Sequence, residues 1–249
     1  MERNHYGSLC TEMYEILHGK APEDELGFYL SYVRKDMRIL EALCGSGRFM
    51  VPFLERGYTV CGVDSSFDML AKLKQKKPQA RIFESDILEF DIHEDFDYVF
   101  ISSGSVSLFV DPMHCKALLR RIKNILAPDG VFVFAVDTIA NRCNDDDDYV
   151  LTASGMTSDG FKLLLKTKNH YIEESQTQLS PGIYELYDGN ELLMKEEMDF
   201  QTHLYRAGEM EMILEEVGFK SIKTYSSFSK NEECDDESEM FLFECRLHV

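Results

Sequence analysis

Positively charged residues are scarce in this sequence of 249 residues, which contains 26 Lys and Arg against 45 Asp and Glu. The formal net charge is −19 at pH 7. Proteins that bind nucleic acids gain affinity when basic side chains neutralise phosphates and release counterions. An acidic chain lacks that source of affinity and is repelled by anionic membrane surfaces. The composition therefore argues against a nucleic-acid partner and against a membrane partner.

Closely spaced cysteine pairs and long apolar runs are also missing. No C-x-x-C pair occurs, so the sequence indicates neither a zinc site nor a disulfide framework, and we expect no metal and a reducing, cytoplasmic location. The N-terminal residues lack an apolar signal core, and the longest clean apolar run, residues 131–136, is too short to cross a bilayer. The seven cysteines are Cys10, Cys44, Cys61, Cys115, Cys143, Cys234 and Cys245.

Strand-like and helix-like segments alternate between residues 37 and 138. Apolar stretches rich in β-branched and aromatic residues predict strands at 37–43, 58–63, 81–83, 96–101 and 131–136. Apolar residues at helical spacing predict helices at 49–55, 67–76 and 113–126. Pro128-Asp129-Gly130 predicts a turn before the last of these strands. Repeated strand–helix–strand units predict an α/β fold around a parallel sheet with right-handed crossovers.

The pattern changes after residue 138. Segments with little helical spacing predict a small inserted layer of antiparallel strands at 161–168, 171–178, 183–187 and 192–204. Asp188-Gly189 is a hairpin turn signal between the last two segments. Helical spacing returns at 207–217 and ends at Gly218, and a closing pair of strands is predicted at 221–228 and 240–247.

We therefore expect a single domain, 1–249, with four parts. An N-terminal helical cap, with helices at 9–17 and 23–32, occupies 1–36. The core follows at 37–138, the inserted strands at 139–204, and the closing helix and strand pair at 205–249.

The glycine turn at residues 39–49 is the most informative stretch. An apolar strand runs into Gly45-Ser46-Gly47, which opens a helix, and the next strand ends in Asp64. Glycine lets the backbone approach a ligand closely, and the helix N-terminus behind it favours an anionic group. An acidic residue at the end of the second strand is placed to accept hydrogen bonds from ribose hydroxyls. This layout is typical of nucleotide-binding proteins.

Six elements in order resemble those of class I S-adenosylmethionine-dependent methyltransferases. They are Glu41 to Gly47, Asp64, Glu84-Ser85-Asp86-Ile87, Phe96 to Phe100, Leu126 to Gly130 and Glu215 to Phe219. The resemblance covers roughly residues 37–138 and 205–249. It implies a Rossmann-like, seven-stranded, mostly parallel sheet with helices on both faces, and S-adenosylmethionine as cofactor. It also implies methyl transfer by in-line displacement to an acceptor, for which the small inserted layer favours a small molecule.

The resemblance also implies roles for individual residues. Gly45 and Gly47 would let the loop approach the methionine part of the cofactor, with Glu41 beneath it. Asp64 would hold the ribose, and Asp86 would accept from the adenine amino group. The other implied cofactor-binding residues are Leu43 (where the family often has glycine), Cys44, Arg48, Ser65, Met69, Ile87, Ser102, Ser103 and Gly104.

The substrate is expected above the carboxyl ends of the parallel strands, where open α/β sheets bind ligands. The N-terminal aromatic segment and the inserted strands are the parts free to form a roof there. Aromatic rings could hold a methylammonium or sulfonium through cation–π contact. The candidate lining residues are Tyr6, Tyr14, Tyr29, Tyr171, Tyr184 and Tyr205.

Several alternatives stay open from the sequence. A noncatalytic S-adenosylmethionine-binding module would keep the same carboxylates, and an NAD-dependent oxidoreductase uses the same strand–turn–helix layout, although this turn is not G-x-G-x-x-G. A hydroxyl acceptor requires a general base, whereas a neutral amine or a thiolate does not. We assign no catalytic residue, and the oligomeric state is not determined.

Overall fold

The computed structural model describes residue 4 and residues 6–248. The helices are α1 (Ser8–His18), α2 (Glu23–Leu30), α3 (Met50–Glu55), α4 (Phe67–Lys76), α5 (Pro112–Ile125) and α6 (Glu209–Val217). The strands are β1 (Ile39–Ala42), β2 (Val60–Asp64), β3 (Arg81–Glu84), β4 (Phe96–Ile101), β5 (Leu126–Asp137), β6 (Val150–Met156), β7 (Lys162–Thr167), β8 (His170–Ile172), β9 (Thr177–Leu179), β10 (Gly182–Asp188), β11 (Glu191–Met198), β12 (Gln201–His203), β13 (Ser221–Tyr225) and β14 (Met240–Arg246). Residues 1–3 and 5 of the predicted cap lie outside the described residues.

Seven strands form the central sheet in the order β13-β14-β5-β4-β1-β2-β3. β1 to β5 are mutually parallel, and β14 runs antiparallel to both β5 and β13. The predicted Rossmann-like, mostly parallel sheet is confirmed. Because the parallel strands point the same way, the residues after β1, β2, β3, β4 and β5 come out at one edge of the sheet.

Helices cover both faces of this sheet. Alternate residues of a strand face opposite sides, so Leu40 belongs to the apolar layer with α5 and α6, and Ile39 belongs to the layer with α2, α3 and α4. The ends of two helices follow from local sequence. Ser66 caps α4 by accepting from the Met69 N–H, and Gly218, at φ +103°, ends α6 in the left-handed region that favours glycine.

The prediction of a turn at residues 128–130 is wrong, because these residues lie within β5. The pairing of β4 with β5 jumps there: Phe96 lies opposite Leu126, whereas Tyr98 lies opposite Val131. The additional residues of β5 are accommodated as an irregularity in the ladder rather than as a loop between elements.

The insertion after residue 138 forms two small antiparallel sheets, β11-β10-β7-β6 and β12-β9-β8. The expected antiparallel insertion is confirmed, and Gly189 lies in the hairpin between β10 and β11. Three details differ from the prediction. The segment 192–204 is divided between β11 and β12, which belong to different sheets. β6 was not predicted, since most of its residues are exposed and lack a clear apolar pattern. The segment 171–178 is divided between β8 and β9 by a short 3₁₀ turn, with Gln176 at φ +50°. The predicted domain boundaries fall between elements and stay predictions.

Helix α1 joins the insertion to the core. Glu196 of β11 accepts hydrogen bonds from the Leu9 and Cys10 N–H groups at 3.1 and 3.0 Å, so a carboxylate satisfies the N-terminus of α1. On its other side α1 pairs with α4 through Lys72–Glu12 and through Lys76–Glu15 at 2.7 Å. Among the described residues, no helix combines the length and apolarity that crossing a bilayer requires.

Replacing Glu196 should loosen α1. We expect Glu196→Ala to lower the free energy of unfolding by about 1 kcal/mol, because two N–H groups at the helix start lose their acceptor. Urea denaturation measures the change. Glu191→Ala, at an exposed position on the same strand, is the matched control, and equal stability of the two variants would contradict the anchoring role of Glu196.

Candidate active site

A cleft opens at the carboxyl ends of β1, β2, β3 and β4, beside Asn4 and Tyr6. It holds about 820 Å³ of empty space, counting its open mouth. Nine residues singled out from the sequence line it: Tyr6, Tyr14, Leu43, Gly45, Asp64, Ser65, Met69, Asp86 and Ile87. The other lining residues are Asn4, Ser66, Ser105, Leu108 and Phe109. Residues from five separate stretches of chain therefore meet at one place.

The glycine loop after β1 has the backbone shape that a tight turn needs. Gly45 and Gly47 have φ values of +49° and +81°. A side chain at residue 47 would also collide with Leu73 of α4, since a Cβ there would lie 2.3 Å from its Cδ1. Leu43 adopts φ +59° although it is not glycine, which costs conformational energy. The loop thus keeps a glycine-like backbone at residue 43, while the leucine side chain lines the cleft.

Asp64 connects this loop to the turn after β2. Its Oδ2 accepts from the Gly45 N–H at 2.8 Å, and its Oδ1 accepts from the Ser66 N–H at 2.9 Å. Burial raises the pKa of this carboxyl group, while the backbone N–H donors oppose that shift. Each oxygen keeps a further lone pair. Asp64 can therefore hold the loop in place and still accept from ligand hydroxyls.

Asp86 and Ile87 follow β3 on the other side of the cleft. Asp86 Oδ1 accepts from the Leu88 N–H at 2.9 Å, which fixes the turn, and Ile87 is buried. A carboxylate beside an apolar side chain suits a flat heteroaromatic ring that carries an amino group.

Glu41 lies beneath the glycine loop and is buried. Its Oε1 accepts from the Ser102 hydroxyl at 3.1 Å, whereas its Oε2 is buried without a hydrogen-bond partner among the described residues. Burial raises the pKa of Glu41 well above its usual range. The Ser102 hydroxyl favours the charged form, as does the nearby Met50 N–H, which does not reach hydrogen-bond geometry with Oε2. A buried carboxylate oxygen without a donor is costly, so this site is suited to a positively charged donor.

The other predicted cofactor residues lie behind the lining. Arg48 donates from Nε to the Lys20 carbonyl at 3.1 Å and from Nη1 to the Ser103 hydroxyl at 3.4 Å. The Ser103 N–H donates to Glu25 Oε1 at 3.0 Å. Gly104 adopts φ +67° next to the carboxylate of Asp137. Arg48, Ser102, Ser103 and Gly104 thus form the wall below the β1 and β4 ends.

Cys44 points into the protein rather than into the cleft. A Cβ placed on Gly62 would lie 2.6 Å from its Sγ, so the thiol fills the space above β2. Burial raises the pKa of the Cys44 thiol well above its usual range. A buried neutral thiol is unreactive.

Four of the six tyrosines proposed for the substrate are not among the residues that line this cleft. Tyr29 is fully buried and donates to the Ile101 carbonyl at 3.2 Å. Tyr205 is buried with its hydroxyl 3.4 Å from Cys115 Sγ. Tyr184 packs in the apolar cluster between α1 and the insertion, and Tyr171 lies under the Arg142 guanidinium, 4.2 Å from the ring centroid. Their aromatic character alone did not indicate which side of the sheet they face.

The sequence reasoning did not single out Ser66, Ser105, Leu108, Phe109 or Asn4, which also line the cleft. Ser66 carried a usable signal, because serine before an apolar helical pattern marks a helix start. The residues after β4 had no such signal, since a short 3₁₀ turn, Ser105–Leu108, brings them to the cleft. Asp137, the last residue of β5, lies beside Gly104 and was also missed.

The sheet and the cleft define a Rossmann-like α/β protein, and comparisons with known proteins narrow this class. Residues 39–130 match the family model described as a methyltransferase domain. A putative methyltransferase of Geobacillus sp. (strain WCH70) is 28% identical over 57% of this chain and 61% of its own length. The dTDP-3-amino-3,6-dideoxy-alpha-D-glucopyranose N,N-dimethyltransferase of Streptomyces fradiae is 27% identical over 51% of this chain and 53% of its own length. The chain thus spans less than two thirds of the length of these curated relatives.

A solved structure extends the likeness in fold over nearly the whole chain. An S-adenosylmethionine-dependent methyltransferase from Clostridium acetobutylicum superposes with a TM-score of 0.78 over 95% of this chain and 97% of that one, at 15% identity. At that identity the superposition shows the fold alone. Together with the methyltransferase-domain match over residues 39–130, it supports the resemblance recognised in the sequence, and the fold of the chain is that of an S-adenosylmethionine-dependent methyltransferase.

The placement of Cys44 can be checked by thiol labelling. We expect a disulfide reagent to modify Cys143 first in the folded protein, because Cys143 is exposed whereas Cys44 is buried with a raised pKa. Cys143→Ser should remove the fastest labelling phase, and the control Cys44→Ser should leave it unchanged. Loss of the fast phase in Cys44→Ser instead would mean that the thiol is open to the cleft.

Proposed function

We propose that this chain transfers a methyl group from S-adenosylmethionine to a small-molecule acceptor by in-line displacement. The observation that carries the proposal is a set of three carboxylates around the glycine loop, Glu41, Asp64 and Asp86. The matching donors on the cofactor are its ammonium group for Glu41, its ribose hydroxyls for Asp64 and its adenine amino group for Asp86. When bound, the cofactor supplies a methyl group that its sulfonium already activates. The protein therefore has only to bind the two substrates, orient them and exclude water.

The nucleoside would be held at the ends of β2 and β3. Asp64 has lone pairs left for the ribose hydroxyls, and Asp86 is placed to accept from the adenine amino group. Ile87 and Met69 supply apolar surface on the cleft lining for the ring. This assignment is supported by the position of both carboxylates at the ligand-binding edge of the sheet.

The amino-acid end would lie over the glycine loop. The unpartnered Glu41 Oε2 would accept from the ammonium group, which would satisfy a buried oxygen that otherwise has no donor among the described residues. Arg48 lies beside Tyr14, whose pKa it lowers against the larger opposing effect of burial. These two side chains would bind the carboxylate.

The acceptor would enter below the roof. Tyr6 is held beside the start of α4, because its backbone carbonyl accepts a hydrogen bond from the Ser66 hydroxyl at 2.8 Å. Asn4 is paired in both directions with Gln201 of β12 at 2.9 Å, so the insertion holds the N-terminal segment over the cleft. Burial raises the pKa values of Tyr6 and Tyr14, which keeps both phenols neutral at pH 7. Their rings and hydroxyls would orient a small acceptor and keep water out.

Other parts of the proposal rest on composition. The net charge of −19 supports a small-molecule partner rather than a nucleic acid. Seven free cysteines are consistent with a reducing compartment, and we propose the cytoplasm. A noncatalytic S-adenosylmethionine-binding module and an NAD-dependent oxidoreductase are the alternatives, and cofactor titrations separate the second of these from the proposal.

Two substitutions test the cofactor assignment by calorimetry with S-adenosylhomocysteine and with 5′-methylthioadenosine, which lacks the amino-acid end. Asp64→Asn should weaken both ligands by about tenfold or more, because a charged acceptor for the ribose is lost. Glu41→Gln should weaken S-adenosylhomocysteine by about tenfold and leave methylthioadenosine nearly unchanged.

Asp68→Asn, which makes the same charge change on α4, is the control and should bind as wild type does. Unchanged affinity of Asp64→Asn for both ligands would refute the ribose assignment. Tight binding of NAD by the wild-type protein would instead favour the oxidoreductase alternative.

The reaction itself is tested by release of S-adenosylhomocysteine from a panel of amines (amino sugars included), thiols, phenols and carboxylic acids. We expect turnover with at least one small molecule, since the roofed cleft excludes large acceptors. Tight cofactor binding without turnover on any member of the panel would favour the noncatalytic module.

A further inference from the structure

The backbone of Asp137 is fixed at the end of β5, at the ligand-binding edge of the sheet. Asp137 ends β5, next to the end of β4. Its N–H donates to the Ser107 hydroxyl at 2.8 Å, and its carbonyl accepts from the Tyr205 N–H at 2.9 Å. Both backbone groups are thus fixed, one by the 3₁₀ turn after β4 and one by the segment after β12.

Gly104 leaves room for this carboxylate. A Cβ at residue 104 would lie 2.8 Å from Asp137 Oδ1, and Gly104 adopts φ +67°, so only glycine suits the position on both counts. The turn that follows Gly104 supplies Ser105 and Leu108 to the cleft lining. The Asp137 carboxylate therefore packs against the same turn that forms one wall of the cleft.

The charge of Asp137 is not balanced by the protein around it. Its two carboxylate oxygens make no hydrogen bond or ion pair with any residue in the described part of the chain. Burial alone raises its pKa to about 6, and no charged side chain that the structure describes contributes to that shift. The Asp137 charge lies close enough to Tyr6, which lines the cleft, to add to the rise in the pKa of that phenol, although burial is the main cause of the rise. Asp137 is half-buried, and a carboxylate that is partly withdrawn from water and has no protein donor gains when a ligand donates to it.

The surroundings favour a cation as that ligand. The cleft lining contains Asp64, Asp86 and two tyrosine rings, and among the described residues it contains no lysine or arginine. The charged side chains that line the cleft are the carboxylates of Asp64 and Asp86, so an anionic acceptor would find no ion-pair partner among the lining residues. An amine, which is an ammonium ion in water at neutral pH, would be attracted by the carboxylates and by the tyrosine rings.

We propose that Asp137 binds the ammonium form of an amine acceptor and removes one proton from it before methyl transfer. This inference rests on the proposed function and narrows its substrate class. The proton passes from nitrogen to Asp137, which frees the nitrogen lone pair. That pair forms the N–C bond as the C–S bond breaks, and the sulfur keeps the bonding electrons. The product is an N-methylammonium ion with S-adenosylhomocysteine, and Asp137 returns its proton to water.

The test begins with binding, which does not require turnover. The protein is loaded with S-adenosylhomocysteine, and its thermal stabilisation is measured with benzylamine, cyclohexylamine and glucosamine against benzyl alcohol, cyclohexanol and glucose. We expect the wild type to bind at least one amine more than tenfold tighter than its hydroxyl counterpart. Asp137→Asn should abolish that preference while its affinity for S-adenosylhomocysteine stays within twofold of wild type. Asp137→Glu should restore part of the preference, and Asp188→Asn, an exposed charge change on the insertion hairpin, should keep all of it.

Turnover provides the second readout. With whichever amine is methylated, Asp137→Asn should reduce kcat/KM by more than a hundredfold and remove the acidic limb of its pH profile. Failure of the wild type to bind S-adenosylhomocysteine would refute the proposed function itself. Cofactor binding with equal affinity for amines and alcohols, or full activity of Asp137→Asn, would overturn only the role of Asp137.

Stability gives an independent check that does not depend on any ligand. Because the folded-state pKa of Asp137 lies above the usual value of 3.8, its ionised form destabilises the native state at pH values above about 6. Asp137→Asn should therefore raise the midpoint of thermal unfolding at pH 8, and this gain should disappear near pH 4, where the wild-type group is protonated. A lower midpoint for Asp137→Asn at pH 8 would indicate a structural role and contradict the proposal.

Discussion

The cleft depends on the two hydrogen bonds that Asp64 accepts from the Gly45 and Ser66 N–H groups. They join the loop after β1 to the turn after β2, although the two lie nineteen residues apart. The Asp64 carboxylate thereby fixes the glycine loop and the turn that precedes α4. Its remaining lone pairs are available to a ligand. The raised pKa of Asp64 shows the cost of this burial, which the backbone donors offset in part.

The second constraint is long-range and lies in the roof. The side of the cleft that we propose for the cofactor is built by neighbouring βα turns. The side that we propose for the acceptor is built by Asn4, Tyr6 and α1, which lie between α4 and the insertion. Glu196 at the start of α1 and Asn4 on Gln201 are the contacts that hold them. A change in the insertion can therefore reshape the acceptor side and leave the loop around Asp64 intact. The fold is therefore shared with a methyltransferase that is only 15% identical. That likeness does not identify the acceptor.

A carboxyl oxygen without a donor in the described part of the chain is the common feature of Glu41 and Asp137. Glu41 is buried and Asp137 is half-buried. In a folded protein such groups are costly unless a ligand satisfies them. Glu41 lies beneath the glycine loop, where we propose the ammonium group of the cofactor. Asp137 lies at the end of β5, where we propose the ammonium group of the acceptor. The acidic composition of the whole chain is consistent with such a cleft.

The sequence by itself determined the features that depend on neighbouring residues. The bounds of α4 and β4 agree with the predictions, because the apolar pattern that predicted them is a local signal. The glycine loop, Asp64 and Asp86 follow from the order of strands, since every parallel strand delivers its next residue to the same edge. Only the tertiary structure decided which tyrosines face the cleft: Tyr6 and Tyr14 do, whereas Tyr29 and Tyr205 pack in the core. It also decided that Asp137 has no donor among the described residues, because burial and partner choice arise from contacts between segments far apart in the chain.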